Sequence, residues 1–204
     1  MHAHAKILLA SSNRGKLAEF QALAAQATSS IPTLELIPEF SSLPQFDESA
    51  PTFAENAAGK AAHYSRFTEF PVLADDSGLV VPALGGAPGV HSARYAGPDA
   101  SDLDKIQKLL AEMKSKTGDA RAARFVCVLA AAHGGRTYAV TSDFVKGALL
   151  EAPRGADGFG YDPIFYVREV GKSFAELSRE EKNLLSHRGK AFRRMLAALN
   201  PATI

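Results

Sequence analysis

Asp75 and Asp76 are the residues of this chain whose types and spacing first suggest chemistry. They follow the apolar run Val72, Leu73, Ala74 and precede Ser77 and Gly78, so a buried strand is expected to end in two carboxylates, with a small turn leaving room for something to approach. Neighbouring strand residues point to opposite faces, so one carboxylate can face a pocket while the other braces the turn. A second polar group, Ser11, Ser12, Asn13, Arg14, Gly15 and Lys16, joins an apolar strand over residues 6–10 to a helix with Leu17, Phe20, Leu23 and Ala24 at helical spacing. The N–H groups and dipole of such a helix N-terminus can hold an anion. The loop lacks the longer glycine spacing of a Walker sequence, and Ser12 or Asn13 could equally be an ordinary helix cap.

Three further groups carry chemistry or plain structure. Lys60 lies on an Ala-rich helix expected from Thr52, where Thr52 and Glu55 have capping-box spacing; it can reach a phosphate or simply be solvated. Phe159 and Tyr161 sit among Gly155, Gly158 and Gly160, more aromatic surface than a turn needs, which suggests stacking on a flat ligand. His187, Arg188 and Gly189 interrupt a helix that Ser178 and Glu181 open and that carries Lys182, and a basic amphipathic helix follows over 190–199. The interruption suits ligand contact as well as a frayed joint between helices.

The elements that must position these groups alternate early and turn antiparallel later. Residues 33–37 read as a strand in a Ser- and Pro-rich stretch over 28–51 that closes on Asp47 and Glu48. Residues 101–114 read as an amphipathic helix with Leu103, Ile106, Leu109, Leu110 and Met113 on one face. Strands over 125–132 and 138–149 flank His133, Gly134, Gly135 and Arg136, a hairpin turn. The glycine- and proline-rich run 85–89 is either backbone passing close to a ligand or chain, or a surface loop. A mixed central sheet follows.

Composition bounds the partners. With 23 basic and 22 acidic side chains the net charge is +1, against a protein built for long-range attraction to nucleic acid or an anionic membrane. One cysteine, Cys127, lies in an apolar run and allows no intrachain disulfide, which suits a reducing cytoplasm. The four-residue apolar run after residue 6 is too short for a signal-peptide core or a membrane span. At 204 residues, the chain is expected to form a single domain over 1–204.

Taken together, the motifs SSNRGK at 11–16, FAENAAGKA at 53–61, LADDSGLVVPALGGAPGVHSARYAG at 73–97, GFGYDPIF at 158–165 and ELSREEKNLLSHRGKA at 176–191 resemble those of the inosine/xanthosine triphosphate pyrophosphatases, the non-canonical purine NTP pyrophosphatase family. The resemblance runs nearly end to end, and five segments in order are specific. It implies an α/β homodimer with a long central mixed β-sheet and flanking helices, two lobes around a nucleotide cleft, and Mg2+-dependent conversion of a purine nucleoside triphosphate to its monophosphate and pyrophosphate. Carried onto this chain, it makes Asp76 the catalytic carboxylate and a metal ligand, with Glu48, chosen over Asp47, as the second ligand and Ser77 beside the substrate. Asn13 and Lys16, with the backbone of Ser11, Ser12, Arg14 and Gly15, hold the triphosphate and Lys60 assists. Phe159, Gly160, Tyr161, Asp162, Lys182, His187 and Arg188 form the nucleobase pocket. Two departures stand out: Ser11-Ser12-Asn13 replaces the usual Thr-Gly-Asn, and the tryptophan common before the GFGYDP segment is absent, with Asp143 nearby.

Donor chemistry adds a specificity. Lys182 and Arg188 can only donate, so they suit the 6-keto group of hypoxanthine or xanthine and not the amino group of adenine. Guanine shares the 6-keto group, so its exclusion must come from the 2-position, where its amino group needs an acceptor or space; the expected order places dITP, ITP and XTP above ATP and GTP. Other readings are a pyrophosphatase of different base specificity, a non-catalytic nucleotide-binding module, or an aspartyl-phosphate phosphatase, whose usual Asp-x-Asp spacing Asp75-Asp76-Ser77 does not provide.

Overall fold

The computed structural model describes residues 6–26 and 33–199. The first five residues, residues 27–32 with the start of the Ser- and Pro-rich stretch, and the expected helix stop at Asn200 and Pro201 lie outside the described residues. Strands β1 (Lys6–Leu9), β2 (Thr33–Leu36), β3 (Val72–Val80), β4 (Ala122–His133), β5 (Arg136–Leu149), β6 (Phe165–Val167) and β7 (Lys172–Ser173) form one sheet in the order β2-β1-β3-β4-β5-β6-β7. It is mixed: β1 pairs in parallel with β2 and β3, while β6 is antiparallel to β5 and β7. Helices α1 (Arg14–Ala25), α2 (Phe53–Tyr64), α3 (Asp102–Glu112), α4 (Arg179–Leu185) and α5 (His187–Leu199) flank it. Between β4 and β5, Gly134 (φ 56°) and Gly135 (φ 83°) meet the demand of a two-residue hairpin turn for positive φ at both positions. Among the described residues no helix is long and apolar enough to cross a membrane.

The chain divides into two compact units, and β3, β4 and β5 each run from one into the other. The first comprises the described parts of Met1–Asp76, Cys127–Asp143 and Arg188–Ile204. Its core gathers Leu9, Phe20, Leu73, Leu129, Phe192 and Met195, with the Phe20 and Phe192 rings tilted at 5.2 Å. The second, Ser77–Val126 and Phe144–His187, packs Leu79, Leu109, Met113, Phe125, Phe165 and Phe174. There Arg121 acts as a staple: Nε donates to the Leu149 carbonyl (2.7 Å), Nη1 to those of Met113 and Lys116 (both 3.1 Å), and Nη2 to that of Leu150 (2.6 Å). The guanidinium thus ties the carbonyl end of α3 to the end of β5, where the helix dipole favours a cation.

Three expectations are corrected. β3 does not stop at the two acids but runs unbroken through Asp75, Asp76, Ser77 and Gly78 to Val80; inside the sheet the Asp75 carboxylate is met by Lys16 and Arg188. The joint between the last two helices is Ser186, whose extended backbone (ψ 154°) caps α4; α5 then starts at His187 and carries Gly189 buried within its first turn. Leu103 is 57% exposed, since it lies in the opening turn of α3 before the buried stripe of Ile106 and Leu109 begins.

Candidate active site

Sheet register brings the first polar loop to the acids. Leu8 and Leu9 pair with Val72 and Leu73, so β1 is exhausted just where β3 reaches Asp75, and residues 11–16 leave the sheet at that level. The loop is self-braced: the Asn13 N–H donates to Ser11 Oγ (3.1 Å), and Asn13 Oδ1 caps α1 by accepting from the Lys16 N–H (3.1 Å). Asn13, not Ser12, is therefore the cap. The amides of Arg14 and Gly15 open the helix, where no i→i−4 ladder can use them, and both residues are exposed together with Ser12 and Asn13.

Strand alternation separates the two aspartates. Asp75 is almost wholly buried and accepts from Lys16 Nζ (3.0 Å), with Arg188 Nη2 at 3.6 Å. Burial opposes its ionisation, but the charges of Lys16, Arg188 and Lys60 outweigh it and hold the carboxyl well below the usual range. Arg188 also donates Nη1 to Glu19 Oε2 of α1 at 2.5 Å and lies over the Phe20 ring. Against burial, Glu19 and Asp75 raise its pKa further.

Asp76 meets a different environment. Burial pushes its carboxyl up from 3.8 to about 6; the Asn56 amide and Lys60 oppose that, while Glu48 and Asp75 add to it. Its Oδ2 is buried with no hydrogen-bond partner among the described residues. Lys60, itself buried, joins β3 to the acidic loop, donating to the Asp75 backbone carbonyl (3.3 Å) and pairing with Glu48 Oε1 (2.7 Å). Burial works against its charge, yet Asp75 and Glu48 raise its pKa.

The acidic loop reaches this place because α2 serves as its rail. Asn56 pairs with both backbone groups of Ala50, accepting from its N–H (3.0 Å) and donating to its carbonyl (3.2 Å). The Phe46 N–H donates to Tyr64 Oη (3.3 Å), and His63 Nε2 donates to the Pro44 carbonyl (2.7 Å). Gly59 completes the fit: a Cβ there would lie 2.6 Å from Phe46 Cζ. Thr52 caps the helix by accepting from the Glu55 N–H (3.2 Å), but the Glu55 carboxylate accepts from the Thr52 hydroxyl, so the expected box is half made.

In the second unit the glycine-rich loop folds around Asp162, whose Oδ2 accepts from the Phe159 N–H (2.9 Å) and from Lys182 Nζ (2.6 Å). Gly158 has φ 82°, and a Cβ there would fall 2.1 Å from Asp162 Oδ2, so this turn admits only glycine. Lys182 Nζ lies 4.8 Å from the centroid of Phe159, which is half-buried. Tyr161 differs: it is buried and donates its hydroxyl to the Ser92 carbonyl (3.0 Å), so only one of the two aromatics offers a face. His187 is buried and stacks on Phe125 at 4.7 Å with rings 7° from parallel.

The structure therefore gathers Lys16, Glu48, Lys60, Asp75, Asp76 and Arg188 in the first unit, and Phe159, Gly160, Asp162, Lys182 and His187 in the second, with Ser77 half-buried beside Asp76 in sequence. Arg188 and Tyr161, expected in the base pocket, each have protein partners. Arg188 is turned to Glu19 and Asp75, because consecutive helix residues point about 100° apart and His187 does not share its direction. Tyr161 belongs to the core. Asn56, Glu19 and the Gly59-Phe46 contact are not singled out by sequence reasoning; the available signal was the four-residue spacing of Asn56 and Lys60, which puts both on one face of α2.

Two hard-oxygen carboxylates beside a lysine, one with a buried unpartnered oxygen, suit a divalent cation with phosphate ligands. Comparison with known proteins agrees with the motifs. The Ham1 family model matches residues 7–198. The dITP/XTP pyrophosphatase of Geobacillus kaustophilus is 50% identical over 93% of this chain and 92% of its own, and that of Yersinia pseudotuberculosis 46% identical over 97% and 99%. Among solved structures, a HAM1 protein from Coxiella burnetii superposes with a TM-score of 0.83 at 41% identity, covering 96% of this chain and 98% of that one. A nucleoside-triphosphatase / dITP/XTP pyrophosphatase from Mycobacterium abscessus does so with 0.70 at 38%, covering 96% and 99%. With motifs, fold and near full-length identity in agreement, this chain belongs to the Ham1 family.

Proposed function

We propose that this protein hydrolyses non-standard purine nucleoside triphosphates, dITP, ITP, XTP and dXTP, to the monophosphate and pyrophosphate, and that it does so as an Mg2+-dependent cytoplasmic homodimer with residues 1–204 acting as one catalytic domain. The observation that carries the chemistry is the pair Asp75 and Asp76, adjacent in sequence and opposite in electrostatics. Asp75 is a permanent anion that orients Lys16 and Arg188. Asp76, poised near neutrality with a buried unpartnered oxygen, takes the proton of the water attacking the α-phosphorus, a general-base contribution of roughly 10²- to 10⁴-fold. Lys16 and the amides of Arg14 and Gly15 bind the triphosphate, and Lys60 holds Glu48 in place while adding positive charge. Held by Glu48 and Asp76, Mg2+ would neutralise phosphate oxygens and stabilise charge on the departing pyrophosphate. Phe159 offers the base a stacking face, and Lys182 donates to its 6-keto oxygen.

Self-association is supported by the outer face of β5, where Tyr138 (53% exposed), Val140 (48%) and Phe144 (44%) form an apolar row, and by the family resemblance. A screen of pyrophosphate release across ITP, dITP, XTP, ATP and GTP, with and without Mg2+, tests the whole reading. Deaminated purines should lead only when Mg2+ is present. Orthophosphate release, or equal kcat/KM for GTP and ITP, overturns it.

A further inference from the structure

We propose that Asp102, in the first turn of α3 and outside every motif named above, is a positioning residue that fixes Phe159 as the platform for the purine base; this rests on the base-binding reading of Phe159. Two carboxylates from different elements seize the two peptide planes that flank the Phe159 Cα. The Phe159 N–H donates to Asp162 Oδ2 at 2.9 Å, and the Gly160 N–H donates to Asp102 Oδ2 at 2.6 Å. With both planes held, the φ and ψ of Phe159 are set, and its ring can only be turned about the side-chain torsions. Gly158 (φ 82°) and Gly160 (φ 61°) supply the left-handed backbone that brings both amides round to these acceptors.

Asp102 is itself braced for the task. Its Oδ1 pairs with Lys105 Nζ at 2.6 Å, which leaves Oδ2 directed to Gly160. The start of α3 beneath it is fixed by a complete capping box between Ser101 and Asp104. Asp162 alone, tied to Lys182 of α4, would anchor only one side of Phe159; Asp102 adds a second anchor on α3. A loop ordered before the base arrives loses less freedom when it binds, so the latch acts on substrate affinity and not on the chemical step.

The test is steady-state kinetics of Asp102→Ala with ITP, together with inhibition by inorganic tripolyphosphate, which carries the phosphates and no base. Asp102→Ala should raise KM for ITP about 3- to 10-fold, the range for losing a partly exposed charge-assisted hydrogen bond, with kcat within about twofold. The Ki of tripolyphosphate should stay unchanged, and Asp102→Asn, which keeps an oxygen acceptor, should recover most of the KM. An unchanged KM, or a tripolyphosphate Ki that rises in the same proportion, overturns the proposal, because general loosening would weaken both ligands alike. Phe159→Ala separates the two levels. If it raises KM while Asp102→Ala does not, the platform stands and the latch falls; if Phe159→Ala leaves KM unmoved, both fall.

Discussion

Replacing Asp76 by asparagine should make the metal-free protein more stable while removing its activity. Asp76 is 7% exposed, and burial lifts its carboxyl from 3.8 to about 6, so above pH 6 folding keeps an ionised group where ionisation is disfavoured. At 1.36 kcal/mol per pH unit this corresponds to about 3 kcal/mol. The sign follows from proton linkage: between about pH 4 and 6 the folded state binds more protons at this group than the unfolded chain, so the stability contributed by Asp76 falls as pH rises through that window. An asparagine side chain carries no charge to desolvate. In EDTA at pH 7.5 the Asp76→Asn protein should therefore melt about 6–12 °C higher than the unaltered one, taking about 2–4 °C per kcal/mol for a chain of this size. At pH 4 the gap should close, since the native carboxyl is then protonated. Saturating Mg2+ should reverse the order, because only the native carboxylate gains binding energy from the ion. Thermal unfolding at both pH values, with EDTA or Mg2+, reads all three effects. A variant no more stable than the native protein in EDTA at pH 7.5 would refute the claim that Asp76 is held under electrostatic strain for catalysis.

Other substitutions probe the supports. Gly59→Ala puts a Cβ 2.6 Å from Phe46 Cζ, which should cost about 1–2 kcal/mol and, by loosening the loop that presents Glu48, raise the Mg2+ concentration giving half-maximal activity. Arg121→Met strips four carbonyls of their donors and should cost about 3 kcal/mol or more in urea unfolding, with Arg121→Lys recovering only part because an ammonium lacks the planar fork. Lys182→Met removes the donor proposed for the 6-keto group and should reduce the ITP-over-ATP preference in kcat/KM by about 10- to 100-fold; an unchanged ratio would remove Lys182 from base selection.

What could be read in the sequence was local, and what could not was set by neighbours distant in the chain. The Thr52 and Ser178 caps, the Gly134-Gly135 hairpin and the apolar spacing of α1 are all short-range signals, and each element is present. The unbroken course of β3 was hidden because Asp, Ser and Gly are poor strand formers taken alone; Lys16, Lys60 and Arg188, up to 113 positions away, make Asp75 tolerable inside a sheet. Direction was hidden for the same reason. The adjacency of His187 and Arg188 suggested one shared task, yet the first lies flat on Phe125 and the second faces Asp75. Likewise Phe159 and Tyr161 looked equivalent until the Ser92 carbonyl claimed the tyrosine hydroxyl.

The same logic explains why two aspartates, and not one, are needed at the centre of β3. Adjacent strand residues share a backbone but not a face, so the protein can surround one carboxyl with cations and leave the other dry at almost no separation in sequence. A lone aspartate placed among Lys16, Arg188 and Lys60 would be too weak a base to accept a proton from water. A lone aspartate in the environment of Asp76 would leave Lys16, the lysine proposed to bind phosphate, without its anchor. Lys60 shows how the faces are kept in balance: its ammonium reaches the Asp75 carbonyl and the Glu48 carboxylate, and so lies near Asp76 without neutralising it. Pairs of titratable groups whose surroundings drive them apart mark where acid and base roles divide. In this chain the division runs between Asp75 as the fixed charge and Asp76 as the group whose charge can change.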